Sequence, residues 1–463
     1  MRLSPRLFRA LGWCFVILGA SAAPFAGLAA LEGAAAVSRG FAVTAALGLF
    51  TGGVALAGTQ ASRRAAGPHD AMRLVFYGWA LTPLIAAPPL IAAAGSAAGG
   101  AFEAYSGLTT TGATVLVPED MPRSIVLWRS LLQWLGGYAS VIFAVTVFAA
   151  LGSRGADLHR TSLLTVEGED LFTNFGRAGR RIGGVYAGLT AVGWVAMLIA
   201  GVRPFDALCL ALSGAATGGF APQSGPVGEW APFGGLVVLA ALSLAGGWNI
   251  ALEYELLSRR RMSRRIGELR GLLAAAGALA VTAWLVAGPA AIAGGFLDGV
   301  FAITTAGYAS GGDVLPPVLL VLTALVGGGV ISTAGGLKMS RVLLLARRAG
   351  ADLNLLAHPS AAVRTRLGGR ATTSEALVSV WVYALAFPAT LALGAIAAGI
   401  AGADFADGWL MTGAALANAG PLAAVDYSAQ PAGVLAVLSV VMVLGRLEVL
   451  AAAAAVFAVF APE

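Results

Sequence analysis

The sequence predicts an all-α polytopic membrane protein with ten spans and four re-entrant loops, built as two N-terminal helices followed by four helix–loop–helix repeats around one pore. Three observations predict it. The 463-residue chain is 58% hydrophobic and only 11% charged, with a mean hydropathy of +0.83, whereas a soluble chain carries roughly a quarter charged residues. Apolar runs near ~20 residues, enough to cross a bilayer, recur from end to end. Between them, short semi-polar segments recur at a period of roughly a hundred residues.

Composition also excludes several classes. A net charge of +6 in a soluble protein would suggest nucleic acid, but these arginines sit in short loops, where they orient helices. No nucleic-acid partner is expected. Cys14 and Cys209 lie far apart in apolar surroundings and read as packing residues. His69, His159 and His358 have no Cys, Asp or Glu at ligand spacing, and no Ser-His-Asp or Cys-His arrangement is visible. The chain therefore does not read as an enzyme, and no organic cofactor is expected in it.

Residues 1–62 form a two-helix extension. Arg2, Arg6 and Arg9 before an apolar run also resemble a signal peptide, but the run continues past Pro24 to about residue 31 and suits an uncleaved span. The repeats then cover 63–153, 154–261, 262–350 and 351–463. Their semi-polar segments fall at about 101–117, 204–226, 296–313 and 404–422. The basic loops 63–73, 154–181, 259–270 and 341–370 all fall on the side of the N-terminus, which the positive-inside rule assigns to the cytoplasm, with both termini there.

Aligned without gaps, the segments end on Gly112, Gly219, Gly307 and Gly420, and two residues earlier stand Thr110, Thr217, Thr305 and Asn418. Each begins near an acid, Glu103, Asp206, Asp298 or Asp407, expected to favour the positive end of a half-helix. A cation crossing a membrane must exchange its water shell for oxygens, and backbone carbonyls in a tight turn supply them without a buried charge. Glycine permits the strained dihedrals of such a turn, and Thr or Asn adds a side-chain oxygen. A single segment of this kind reads most simply as close helix packing. Four in register do not.

At SGLTTTGATVL (106–116), WRSLLQWLGG (128–137), ATGGFAP (216–222), TTAGYASGG (304–312), STAGGLKMSR (332–341), HP…RLGGR (358–370), NAGP (418–421) and GRLE (445–448), the chain resembles the Trk/Ktr/HKT superfamily of potassium transporters, specifically the TrkH-type membrane subunit. The resemblance covers nearly the whole chain. It implies M1-P-M2 units whose filter comprises Thr110, Thr111, Gly112 and Ala113; Thr217, Gly218, Gly219 and Phe220; Thr305, Ala306, Gly307 and Tyr308; and Asn418, Ala419, Gly420 and Pro421. It also implies K⁺ as the transported ion bound at those residues, a homodimer with one pore per subunit in the lipid bilayer of a bacterial inner membrane, and a cytosolic nucleotide-binding ring of TrkA type. In this superfamily a serine at the first filter position goes with Na⁺, so Gly112 points to K⁺. Ala306 replaces a frequent Thr and Gln223 a frequent His, and neither change removes a carbonyl.

The helix after the third segment is interrupted over 327–338 by Gly327, Gly328, Gly329, Ser332, Thr333, Gly335, Gly336 and Lys338, which reads as a loop bordering the aqueous path or as a packing kink. In the superfamily the matching loop lies under the filter, so it is the expected gate. Arg446, deep in apolar sequence, is expected to line the pore below the filter, either holding this loop or setting an electrostatic barrier; the other reading is an ion pair with a neighbouring helix. Glu448 is too close in sequence to pair face to face. Lys338, the only lysine, either borders the loop or reaches the cytoplasmic interface. The competing function is an ion-coupled (H⁺ or Na⁺) secondary cation transporter. That class predicts inverted repeats, whereas these four run parallel.

Overall fold

The computed structural model describes residues 4–59, 68–151, 171–250, 267–312, 314–358, 366–367, 370–371 and 374–447. The basic stretches 154–170, 259–266 and 359–365, Glu448 and the ends of the second and fourth repeats' last spans lie outside the described residues.

The N-terminal hairpin consists of α1 (Pro5–Leu31) and α2 (Ala35–Ala57). Its helices touch backbone to backbone. A methyl group on Gly48 would stand 2.6 Å from Phe15 O, and one on Gly19 would stand 2.8 Å from Leu49 N. In a bilayer the lipid tails are as apolar as leucine, so close van der Waals packing of small residues replaces hydrophobic drive. Ser38 Oγ ties the turn by donating to Ala26 O at 2.8 Å.

The hairpin docks on the first repeat, formed by α3 (Pro68–Ala94), α4 (Ala97–Leu108) and α5 (Arg123–Leu151). Phe25, Phe41 and Trp128 form a cluster with ring centroids 5.3–5.4 Å apart. Both Glu32 carboxylate oxygens accept from Ser124 N at 3.2 Å, satisfying an amide at the start of α5 that has no partner within the helix.

The second repeat has α6 (Leu171–Ile199), α7 (Pro204–Ala215), the single turn α8 (Val227–Trp230) and α9 (Phe233–Gly247). The third has α10 (Gly267–Ala287), α11 (Ile292–Ile303), α12 (Pro317–Val326) and α13 (Met339–Ala357). The fourth has α14 (Ser374–Ile400), α15 (Phe405–Ala417) and α16 (Ala432–Arg446). A two-residue antiparallel pair, Arg366–Leu367 with Arg370–Ala371, is the one strand ladder among the described residues.

Six helices among the described residues are long and apolar enough to cross a membrane, in α1, α2, α3, α6, α10 and α14. Of the other four expected spans, α5 has 29 residues but falls outside that apolar set, and α9, α12 and α16 are shorter. Helix α12 stops at Gly327, whose φ of +77° leaves the helical region, and α9 stops at Gly247, where Trp248 (ψ −109°) does the same. Helix α16 runs to within a residue of a segment outside the described residues.

The four short helices α4, α7, α11 and α15 lead into the interior. Ser96 caps α4 by accepting from Gly99 N, Pro204 opens α7, and Asp404 caps α15 by accepting from Ala406 N. Each helix then stops just before a buried residue in the left-handed region: Thr110 (φ +54°), Thr217 (+51°), Thr305 (+59°) and Asn418 (+54°). Three are threonines, β-branched residues for which this conformation is costly.

Candidate cation site: four turns in a ring over a glycine loop

The turns that follow close on one another. A methyl group built on Gly112 would press on the Gly218 carbonyl; one on Gly219 would stand 2.5 Å from the Ala306 carbonyl and 3.1 Å from Pro421 Cγ. One on Gly307 would stand 2.9 Å from Pro421 Cδ, and one on Gly420 would press on the backbone of Ala113. The first turn thus meets the second, the second the third, the third the fourth, and the fourth the first. All sixteen filter positions proposed from the sequence are buried within these turns or directly flank their glycines.

Gly112, Gly219 and Gly307 have φ of +78°, +83° and +73°, a region open to glycine at little cost. The fourth turn departs from the expected pattern. Gly420 is not among the positive-φ residues and opens a 3₁₀ turn running to Ala423. Its N–H donates to Thr111 O at 2.6 Å, its carbonyl accepts from Tyr427 OH at 2.9 Å, and Asn418 Nδ2 donates to Thr111 Oγ1 and to Met442 O. Contact with Ala113, rather than a dihedral, requires a glycine there.

Thr110 Oγ1 and Asn418 Oδ1 are buried without a hydrogen-bond partner among the described residues, and Asn418 Oδ1 lies beside Gly445 of α16. A buried unsatisfied polar atom costs about 1–3 kcal/mol.

The acids do not all act as helix-start charges. Glu103 and Asp298 lie in the middle of α4 and α11, nine residues before their glycines, and clamp the returning chain: Glu103 Oε1 accepts from Val115 N at 2.6 Å and Asp298 Oδ1 from Ser310 N at 2.7 Å. Asp206 and Asp407 do fall in the first turn of their helices. Gln223, the expected departure, donates to Asp206 Oδ2 at 2.8 Å and so closes the second turn.

Beneath the ring runs the 327–338 loop. Gly335 N donates to Thr305 Oγ1 at 2.8 Å, Thr333 Oγ1 lies 3.1 Å from Thr217 Oγ1 and donates to Gly246 O at 2.9 Å, and a methyl group on Gly335 would press on Ala417 O. Gly327, Gly328, Gly329 and Gly336 admit equally close backbones, including Gly247 O beside Gly328 and Trp248 O beside Gly329. Ser332 Oγ donates to Gly329 O. Lys338 is buried and its Nζ donates to Ala334 O at 2.6 Å, which puts it against the loop.

Arg446 reaches the same loop from the end of α16. One terminal nitrogen donates to Thr333 O at 2.5 Å and Nε donates to Ser140 Oγ at 2.7 Å. Ser140, Ser332, Ala334, Lys338 and Arg446 help line a cavity of about 40 Å³.

The sequence reading missed Arg129, Gln133 and Ser213, three buried polar residues behind the ring. The available signal was an arginine and a glutamine four residues apart in an apolar helix, placed on one face by helical geometry.

Buried helices surrounding a ring of glycine turns over an internal loop define a multi-pass membrane protein of the cation-transport class. The TrkH family model, described as "Cation transport protein", matches residues 49–277. The chain is 31% identical over 367 residues to the "Trk system potassium uptake protein TrkH" of Salmonella typhimurium, spanning 75% of this chain and 76% of that protein. It is 29% identical over 432 residues to the protein of the same name from Halomonas elongata, spanning 89% and 90%. Its fold superposes on the crystal structure of the potassium transporter TrkH from Vibrio parahaemolyticus with a TM-score of 0.86 and 24% identity, covering 99% of this chain and 98% of that one. The chain belongs to the TrkH family.

Proposed function

We propose that this chain takes up potassium across a bacterial inner membrane, channel-like, through a filter formed by the four turns. On this reading the chain makes ten spans in two N-terminal helices and four M1-P-M2 repeats, with α4, α7, α11 and α15 as re-entrant half-helices. Thr110 to Ala113, Thr217 to Phe220, Thr305 to Tyr308 and Asn418 to Pro421 hold K⁺. The carrying observation is the closed cycle of contacts from turn to turn, with Gly112, Gly219, Gly307 and Gly420 at its junctions. Carbonyl rings favour the less strongly hydrated K⁺ over Na⁺.

The 327–338 loop is the gate and Arg446 holds it shut, because the loop is bonded to Thr305 above and to the guanidinium beside it. A homodimer and a cytosolic TrkA-type nucleotide-binding ring complete the assembly, with both termini cytoplasmic, and the chain itself carries no enzymatic step.

Rubidium uptake by cells lacking their own high-affinity potassium systems tests the reading. Expression with the ring partner should restore uptake, and Gly112→Ser should increase Na⁺ entry relative to Rb⁺. Absence of uptake from well-expressed protein overturns it.

A further inference from the structure

Helix α5 contributes more than a span. Arg129 and Gln133 lie on one face, and one turn on stand Gly136 and Gly137. Arg129 Nε donates to Glu103 Oε2 at 3.1 Å, and a terminal guanidinium nitrogen donates to Thr114 Oγ1 at 2.7 Å, while Thr114 Oγ1 donates to Glu103 Oε1 at 2.6 Å. The guanidinium carbon stands 4.1 Å from the centre of the Phe220 ring. Gln133 Nε2 donates to Gly218 O at 2.5 Å, and its Oε1 accepts from Phe220 N at 3.2 Å and from Ser213 Oγ at 2.6 Å. Ser213 Oγ in turn accepts from Tyr308 OH at 2.6 Å. A helix of the first repeat therefore grips the second turn at Gly218 and Phe220 and is linked through Ser213 to Tyr308 of the third.

The same position in the next repeat lacks this grip. Gly136 faces the carbonyl of Leu108, the last residue of α4, and Gly246 faces the carbonyl of Ala215, the last residue of α7. Gly137 faces Ala216 and Gly247 faces Thr304, in each case the following repeat. Aligned on these glycine pairs, Arg129 corresponds to Leu239 and Gln133 to Ser243. Leu239 is buried and apolar, and Ser243 Oγ makes no hydrogen bond among the described residues. The first seam is braced from the long helix of its own repeat by a buried charge and an amide; at the second, that helix offers Leu239 and Ser243, and the turns are joined instead by the Tyr308–Ser213 hydrogen bond.

We propose that Arg129 and Gln133 are positioning residues for ion discrimination. By fixing the Gly218 carbonyl and the Phe220 ring from behind, they set the spacing between the first and second turns at Gly112 and Gly218. An oxygen ring held at a fixed width cannot contract onto Na⁺, so discrimination resides in this seam more than in the next, where the flanking helix supplies no polar brace. The proposal rests on the filter reading given above.

The test is Rb⁺ uptake into proteoliposomes holding the full chain, with Na⁺ as competitor, for wild type, Gln133→Leu, Arg129→Gln, Arg129→Lys and Ser243→Ala. Gln133→Leu should lower discrimination of Rb⁺ over Na⁺ about tenfold at near-normal amounts of folded protein, Arg129→Lys should retain more of it than Arg129→Gln, and Ser243→Ala should leave it unchanged. If Arg129→Gln does not fold, Gln133→Leu decides, because it removes no charge. Unchanged discrimination and Rb⁺ KM in folded Gln133→Leu overturn the proposal, as does an equal loss in Ser243→Ala. Absence of Rb⁺ uptake by wild type would instead overturn the filter reading.

Discussion

Gly335 donates its backbone N–H to the hydroxyl of Thr305 at 2.8 Å, so the loop and the third turn share one hydrogen bond. Thr305 is held at φ +59° while it accepts that bond. The inner face of the ring and the proposed gate are therefore in direct contact, with no intervening layer of side chains at this point.

Arg446→Gln should loosen the loop. Its two donations to Thr333 O and Ser140 Oγ are charge-assisted, and one such bond contributes about 1.5–3 kcal/mol, equivalent to tenfold or more. Rubidium efflux from proteoliposomes without the nucleotide-binding ring should rise by about that factor. Efflux equal to wild type would reject the role. Gly335→Ala, whose methyl group presses on Ala417 O, should act in the same direction.

Gly112→Ala and Gly420→Ala should both impair uptake, for different reasons. Gly112 has φ +78° and faces the carbonyl of Gly218, a residue with no side chain to remove. Gly420 lies against Ala113, including its methyl group. Adding Ala113→Gly should restore part of the uptake lost in Gly420→Ala, and no neighbouring truncation should restore Gly112→Ala. Uptake measured across the single and double variants checks this.

Gly48→Val should destabilise the N-terminal hairpin, because the new side chain meets Phe15 O and the Gly19 backbone. Overpacking of this kind costs typically about 1–3 kcal/mol. The melting temperature of the detergent-solubilised protein should fall, with ion discrimination unchanged in the folded fraction.

The outer loops should loosen in acid. Burial alone would raise the Glu119 pKa, but hydrogen bonds from Ser224 N and Ser224 Oγ outweigh it and hold the carboxyl below its ordinary value. A lowered folded-state value means that these bonds contribute above the ordinary carboxylate range and are lost as pH falls through the lowered value. Amide exchange at Ser224 should accelerate across that window, and Glu119→Gln should abolish the pH dependence. Equal pH dependence in the variant would reject the link.

Much of this architecture was legible because it rests on local chemistry. The register of Gly112, Gly219, Gly307 and Gly420 located the four turns, and the glycine run located the loop under them. What was illegible depends on partners far away in sequence. Nothing local marks a threonine for a left-handed conformation, since β-branching opposes it, yet three adopt it here. Glu103 looked like a helix-start charge because its partners, Val115 and Arg129, lie on the far side of the turn. Gly420 matched its counterparts in sequence while differing in backbone, because Tyr427 and Thr111 bind both its polar groups. The ten-span count was read from hydropathy, and six helices meet that length and apolarity among the described residues.

The unequal fourth turn has a consequence for how such a protein can change. Where identical subunits surround an axis, every substitution arrives four times over. Here all four quarters are encoded separately, so the contact of Gly420 with Thr111 can exist without a copy elsewhere, and a single codon alters one quarter while three stay as they were. Ion preference in such a chain is adjustable in small steps, a graded inheritance that strict fourfold symmetry would forbid.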